Sequence, residues 1–178
     1  MADKIRTGIF GGSFNPIHYG HLAVGDFFYH SGLLDEVWFV VSPHNPLKQA
    51  EDLADARERL AQVQAALAAY PYLKVSDIEL DLPRPSYMSA TLRELERRYP
   101  QRTFSLIIGS DNLENFVRWH DFQYLIGHYD ILVYPRPGYR NEVPVGWKRV
   151  RLFREAPQMD VSSTRIREAI RNGQPYSI

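Results

Sequence analysis

Val37-Trp38-Phe39-Val40-Val41 is an unbroken apolar run stopped by Ser42-Pro43, and a strand with no polar face must be covered on both sides. That requirement constrains the chain more than any other feature, because strands of this kind belong to parallel sheets sandwiched between helices. Phe104-Ser105-Leu106-Ile107-Ile108, ending at Gly109, predicts another. Ile5 to Phe10 reads as a short strand ending in Gly11-Gly12, and Gly20 to His30 as an apolar helix closed by Ser31-Gly32. Leu53, Ala56, Leu60, Val63, Leu67 and Tyr70 recur at helical spacing until Pro71, and Val75 lies in a short strand. Met88, Leu92, Leu95 and Tyr99 repeat that spacing before Pro100. Phe116, Trp119, Phe122, Leu125 and Ile126 suggest short helices. Tyr129 to Tyr134 and Val150 to Phe153 predict two further strands, and a last helix runs from Ser163 to Arg171, with Gly173 suited to its C-cap. Pro135 to Pro144 reads as a loop within the domain. The alternation predicts an α/β, Rossmann-like open, mostly parallel sheet with helices on both faces and right-handed crossovers, formed as a single domain over residues 1–178.

Composition narrows the function classes. Lys plus Arg equals Asp plus Glu at 21 each, so no bulk positive field recruits nucleic acid, and anion binding must come from a local site. The absence of cysteine rules out a disulfide framework and thiolate metal sites. No signal-peptide order is visible, and the longest apolar run is far too short for a bilayer, so a soluble cytoplasmic protein without membrane partners is expected. Oligomeric state is not legible in the sequence.

Gly11-Gly12-Ser13-Phe14-Asn15-Pro16-Ile17-His18-Tyr19-Gly20-His21-Leu22 falls between the first strand and the first helix, the position of a phosphate cradle. Glycines there let backbone amides approach phosphate oxygens, and the helix start offers free N–H groups and the positive end of its dipole. His18 and His21, three apart, share one face of that helix start. Taken singly, the glycine pair is an ordinary turn and each histidine a structural residue; the H-x-G-H context is what points to a phosphate chain. A zinc reading of the histidines lacks a third ligand at suitable spacing. The second segment, Val161-Ser162-Ser163-Thr164-Arg165-Ile166-Arg167, opens the last helix with three hydroxyl residues, which either cap it or bind phosphate.

Together these two segments resemble the paired signature of the nucleotidyltransferase superfamily with an H-x-G-H site. Ser42-Pro-His-Asn-Pro-Leu-Lys48, Pro85-Ser-Tyr-Met-Ser-Ala-Thr-Leu92, Leu106-Ile-Ile-Gly-Ser-Asp-Asn112 with Trp119, and Tyr134-Pro-Arg-Pro-Gly138 resemble the bacterial nicotinate-nucleotide adenylyltransferases, and the match runs from about Ile5 to Ile170. The resemblance implies transfer of the adenylyl group of ATP to nicotinate mononucleotide, with Mg²⁺ carried on the ATP phosphates and no protein metal ligand. It places Gly12, Ser13, Phe14, His18, His21, Lys48, Ser163, Thr164 and Arg167 on ATP, with His18 and His21 acting on the transition state. It places Asn15, His44, Tyr87, Met88, Asp111 and Trp119 on the mononucleotide, and Arg136 on the adenosine side. Several of these have plainer readings: Lys48, His44 and Arg136 as surface residues, Trp119 as core, Asp111 as a helix N-cap. Trp38 and Trp147 are assigned to packing or surface.

One departure bears on the acceptor. The family commonly has Tyr-Thr followed by Asp-Thr-Leu, where this chain has Tyr87-Met88 and Ala90-Thr91-Leu92. A hydroxyl and a carboxylate are missing from the segment that recognises the pyridine carboxylate, so discrimination rests on backbone N–H groups around Tyr87 to Ser89 and near His120. Two alternatives stay open: the same reaction on nicotinamide mononucleotide, or on phosphopantetheine as in a sister family, and a nucleotide-binding sensor without turnover.

Overall fold

The computed structural model describes residues 3–43, 56–83, 86–158 and 162–175. Six strands, β1 (Ile5–Gly12), β2 (Glu36–Val41), β3 (Leu73–Ser76), β4 (Arg102–Gly109), β5 (Asp130–Tyr134) and β6 (Val150–Leu152), form one sheet in the order β3-β2-β1-β4-β5-β6. Every neighbouring pair is parallel. The helices are α1 (Tyr19–His30), α2 (Ala56–Leu67), α3 (Met88–Arg98), α4 (Ser110–Glu114), α5 (Phe122–His128) and α6 (Ser163–Arg171).

Alternation along the buried strands divides the core in two. Phe10, Val37, Phe39, Val41, Ile107 and Leu132 pack with Val24 and Phe28 of α1 and Val63 and Leu67 of α2. The intervening residues, Ile9, Trp38, Val40, Leu106, Ile108 and Ile131, pack on the other face with Leu92 and Leu95 of α3 and Leu125 of α5. All six residues of β2 are buried, as its unbroken apolar run demands. Every strand call is met to within a residue or two, and the last helix has the expected bounds. Two short helical turns, Ile78–Leu80 and Phe116–Arg118, complete the described elements; the first had no periodic signal in the sequence. Leu53, assigned to the second helix, lies outside the described residues.

The consequence for function is the strand order. The chain leaves β1 toward β2 on one side and later returns to β4 on the other, so loops from the carboxyl ends of β1 and β4 diverge and leave a crevice between them. Gly11-Gly12 and Gly109 end those two strands.

Candidate active site

The loop after β1 leaves the sheet at Gly12, whose carbonyl accepts from Ser42 N at 2.9 Å. Phe14 takes φ 45°, a conformation uncommon for a residue with a side chain. It is held there by burial: its ring meets Phe10 edge-on at 5.6 Å and His21 at 5.0 Å. The Phe14 side chain is therefore part of the core, and any contact of this residue with ATP falls to its backbone. Three carbonyls of the loop are then fixed by side chains from elsewhere. Arg59 Nη1 donates to Ser13 O at 2.6 Å, Arg167 Nη1 to Asn15 O at 2.6 Å, and Ser163 Oγ to Pro16 O at 2.7 Å. In a planar trans peptide the N–H after a carbonyl points the opposite way, so binding the Ser13 carbonyl turns the Phe14 N–H away from Arg59.

His18 is the N-cap of α1 and is 2 % exposed. Its Nδ1 accepts from Gly20 N at 3.1 Å, and its own backbone N donates to His21 Nδ1 at 3.1 Å. This reciprocal capping box uses two imidazoles where hydroxyl and carboxylate are usual. The two rings stack at 3.6 Å with 23° between planes. Because each Nδ1 is an acceptor, each neutral ring carries its proton on Nε2; the tautomer is assigned from these hydrogen bonds. Two N–H donors are thus preset at the positive end of a helix.

Burial, and then the positive charge of Arg136, push the His18 pKa down from 6.5 to about 4. The unfolded chain therefore binds a proton that the folded chain refuses between those two values. The stability His18 contributes is complete above about pH 6.5 and is lost as pH falls toward 4, on the order of 3 kcal/mol of unfolding free energy. Urea unfolding between pH 7 and pH 4 should show this decline in wild type and a shallower one in His18→Asn, which retains an N-cap acceptor but not the titration. Equal slopes would contradict the assignment.

At the start of α6 the three hydroxyl residues divide their work. Ser162 caps the helix, accepting from Arg165 N at 3.1 Å, Ser163 reaches the first loop, and Thr164 Oγ1 accepts from Arg167 Nη2 at 3.2 Å. Both segments singled out in the sequence, 147 residues apart, therefore form one site.

Residues expected on the mononucleotide side gather across the crevice. A small cavity of about 40 Å³ is lined by Gly11, Met88, Gly109, Asn112, Trp119 and Tyr134 among others. A side chain at Gly109 would place Cβ 2.5 Å from Asp111 Oδ1 and 3.0 Å from the Tyr134 ring, so only glycine lets this strand end close upon them. Asp111 Oδ1 and Arg136 Nε are buried without a hydrogen-bond partner among the described residues, as expected of groups facing a ligand. Tyr134, buried and next to the Asp111 carboxylate, has its pKa pushed up to about 12 and stays a neutral hydroxyl. Trp119 stands beside Phe116, with ring centroids 4.8 Å apart.

Tyr87 stacks on His120 at 4.3 Å, bringing together the two segments expected to read the pyridine carboxylate. Tyr87 is the N-cap of α3 but makes no side-chain cap bond, which leaves the first N–H groups of that helix for another acceptor. Asn15 is buried in the phosphate loop. Trp38 packs in the core with its indole N–H on Glu36 at 2.8 Å, and Trp147 is half-buried against Phe116 and Phe122, as assigned. His44 and Lys48 lie outside the described residues. The larger groove, about 510 Å³ and lined by Leu113, Val117, Arg140, Val143, Val145 and Trp147, includes none of the residues expected to bind substrate.

Sequence reasoning missed Arg59 and Glu79, and it gave Tyr134 only as a strand end and part of a family-like segment. Arg59 had a readable signal: it sits on the stripe formed by Ala56, Val63 and Leu67, where a charged residue must be paired or hydrogen-bonded.

A parallel sheet of this order, with a histidine-capped helix start and a basic helix start meeting at its switch point, defines a nucleotidyltransferase. The chain matches the cytidylyltransferase-like family over residues 9–169 and belongs to it. Within that class it belongs with the nicotinate-nucleotide adenylyltransferases. It is 48% identical to the probable nicotinate-nucleotide adenylyltransferase of Bacteroides fragilis, over 96% of this chain and 85% of the relative. It is 44% identical to the corresponding protein of Cytophaga hutchinsonii, over 94% of this chain and 86% of the relative. The fold resembles that of Plasmodium falciparum nicotinic acid mononucleotide adenylyltransferase complexed with NaAD, with a TM-score of 0.74 at 18% identity, covering 92% of this chain and 83% of that one. No helix among the described residues is long and apolar enough to cross a membrane.

Proposed function

We propose that the chain, acting as one domain, transfers the adenylyl group of ATP to nicotinate mononucleotide, giving nicotinate adenine dinucleotide and pyrophosphate. The observation that carries this reading is the pair of stacked imidazoles, each fixed as an Nε2–H donor at the start of α1. A phosphate oxygen of the mononucleotide attacks the α-phosphorus of ATP; the bond from that phosphorus to the bridging oxygen breaks, and pyrophosphate leaves with the electron pair. No protein nucleophile is needed, so positioning and charge stabilisation are the protein's contribution.

In this reading His18 and His21 donate to the phosphate oxygens on which charge accumulates. Arg167, with Ser163 and Thr164, closes the site from α6, and the resemblance assigns Lys48 to the outer phosphates. The donor set at the loop is imidazole N–H, hydroxyl and guanidinium, and no group of three potential metal-ligating side chains occurs among the described residues. That chemistry suits phosphate oxygens, so Mg²⁺ enters as part of the substrate, MgATP, held by its phosphates and water.

Asp111 accepts from a ribose hydroxyl, and Trp119 stacks on the pyridinium ring, where indole gains cation–π attraction. The uncapped start of α3, beside Tyr87 and His120, takes the pyridine carboxylate in place of the missing threonine hydroxyl, and Met88 lends only apolar contact. Asn15 and His44 complete the mononucleotide side. Trp119→Ala should raise the KM for the mononucleotide about 10- to 30-fold while kcat changes less than about threefold, as read by steady-state kinetics at saturating ATP. A fall in kcat alone would remove the stacking role. The reading itself is tested by pyrophosphate release from ATP and Mg²⁺: release should require nicotinate mononucleotide, and none above background would reject it.

A further inference from the structure

Two buried ionisable side chains, Arg59 and Glu79, meet on one residue between the two halves of the site. Arg59 is 0% exposed; its Nη1 holds the carbonyls of Ser13 at 2.6 Å and Ser42 at 2.7 Å, and its Nη2 holds that of Pro43 at 3.2 Å. Glu79, in the turn after β3, is 5% exposed. It accepts from Thr91 Oγ1 at 3.0 Å and Ser86 Oγ at 3.4 Å, and the Ser42 side chain is a third hydrogen-bonding neighbour. Ser42, where β2 ends, is therefore gripped by Arg59 at its carbonyl and joined to Glu79 through its side chain. At one end this chain of bonds reaches Ser13 in the phosphate loop. At the other it reaches Ser86 and Thr91, which flank Tyr87 and Met88, and Thr91 Oγ1 also lies 3.2 Å from the Tyr87 carbonyl.

We infer that Arg59, Ser42 and Glu79 form a buried strut that fixes the triphosphate loop relative to the acceptor loop, with Arg59 and Glu79 as positioning residues that touch neither substrate. Both loops are irregular backbone, so nothing in the sheet ladder sets their spacing beyond Gly12 and Val41. In-line attack demands that spacing, because a misplacement of about 1 Å costs on the order of 100-fold in rate. A guanidinium suits the first joint, since its planar fork grips several carbonyls at once, whereas an ammonium is a point charge. A carboxylate suits the second, since its two oxygens accept from several hydroxyls.

The strut rests on the adenylyltransferase reading, and steady-state kinetics on Arg59→Lys, Glu79→Leu and the isosteric Glu79→Gln test it separately. Arg59→Lys should lower kcat about 10- to 100-fold, as the spacing for in-line attack is lost, and raise the KM for ATP with the mononucleotide KM within about twofold of wild type. Glu79→Leu should raise the mononucleotide KM about 10-fold with the ATP KM nearly unchanged, and Glu79→Gln, whose amide oxygen still accepts from Thr91, should show a smaller rise in the same constant. The Arg59→Lys/Glu79→Gln double variant should deviate from the product of the single effects. A kcat at wild-type level in Arg59→Lys, equal rises in both KM values, or losses that only follow the folded fraction seen by circular dichroism would overturn the strut. Absence of product with the wild-type protein would instead overturn the underlying reading.

Discussion

His18→Ala lowers kcat by about 100- to 1,000-fold, with the KM for ATP changed less than about fivefold, if the imidazole acts on the transition state. The magnitude follows from what is removed. His18 Nε2–H is a donor fixed before substrate arrives, in a residue only 2 % exposed and stacked on His21. Such a donor costs no reorganisation when charge develops on the α-phosphate, and water filling the space would have to be ordered anew. The substitution also removes the acceptor for Gly20 N and with it half of the capping box, so thermal unfolding must accompany the kinetics. An N-cap loss costs about 1 kcal/mol, too little to explain a thousandfold fall in turnover. His18→Asn separates the two effects: the cap is restored and the rate is not. A large rise in the KM for ATP with kcat intact would assign His18 to ground-state binding instead.

Arg167→Ala lowers kcat/KM for ATP by about 100-fold, since a charged group's hydrogen bond to a partly buried partner contributes about 1.5–3 kcal/mol and, in the proposed reading, its charge acts on the phosphates besides. Arg167 holds Asn15 O and Thr164 Oγ1 together, so it shapes the loop as well as charging it. Arg167→Lys keeps the charge and loses the fork, and should recover only a small part of the loss. Full recovery in the lysine variant, measured by initial rates across ATP concentrations, would show that only charge matters there.

Much of this was open to inspection in the residues. The all-apolar β2 dictated a parallel sheet, and Gly-Gly before two histidines marked the turn from β1 into α1, because period and turn chemistry are local properties. The proximity of Ser163 and Arg167 to that loop was not local: it depends on α6 returning across the sheet, and only the resemblance supplied it. The burial of the Phe14 ring was not legible, because a residue inside a loop motif carries no sign that its side chain turns back into the core. Glu79 was invisible, since a lone Ile-Glu-Leu carries no sign that its carboxyl will be buried among three hydroxyls. Arg59 was within reach, as a charge on an apolar helical stripe.

The reaction is well supported by family membership, while the acceptor depends on a segment where Met88 and Ala90 depart from the common pattern. The most direct measurement is kcat/KM for three acceptors under identical conditions, with ATP saturating: nicotinate mononucleotide, nicotinamide mononucleotide and phosphopantetheine. The geometry at Tyr87, His120 and the uncapped start of α3 predicts a preference for the nicotinate form of at least about 10-fold, the worth of one charge-assisted hydrogen bond, and no turnover of phosphopantetheine. Equal or higher kcat/KM for nicotinamide mononucleotide would contradict it.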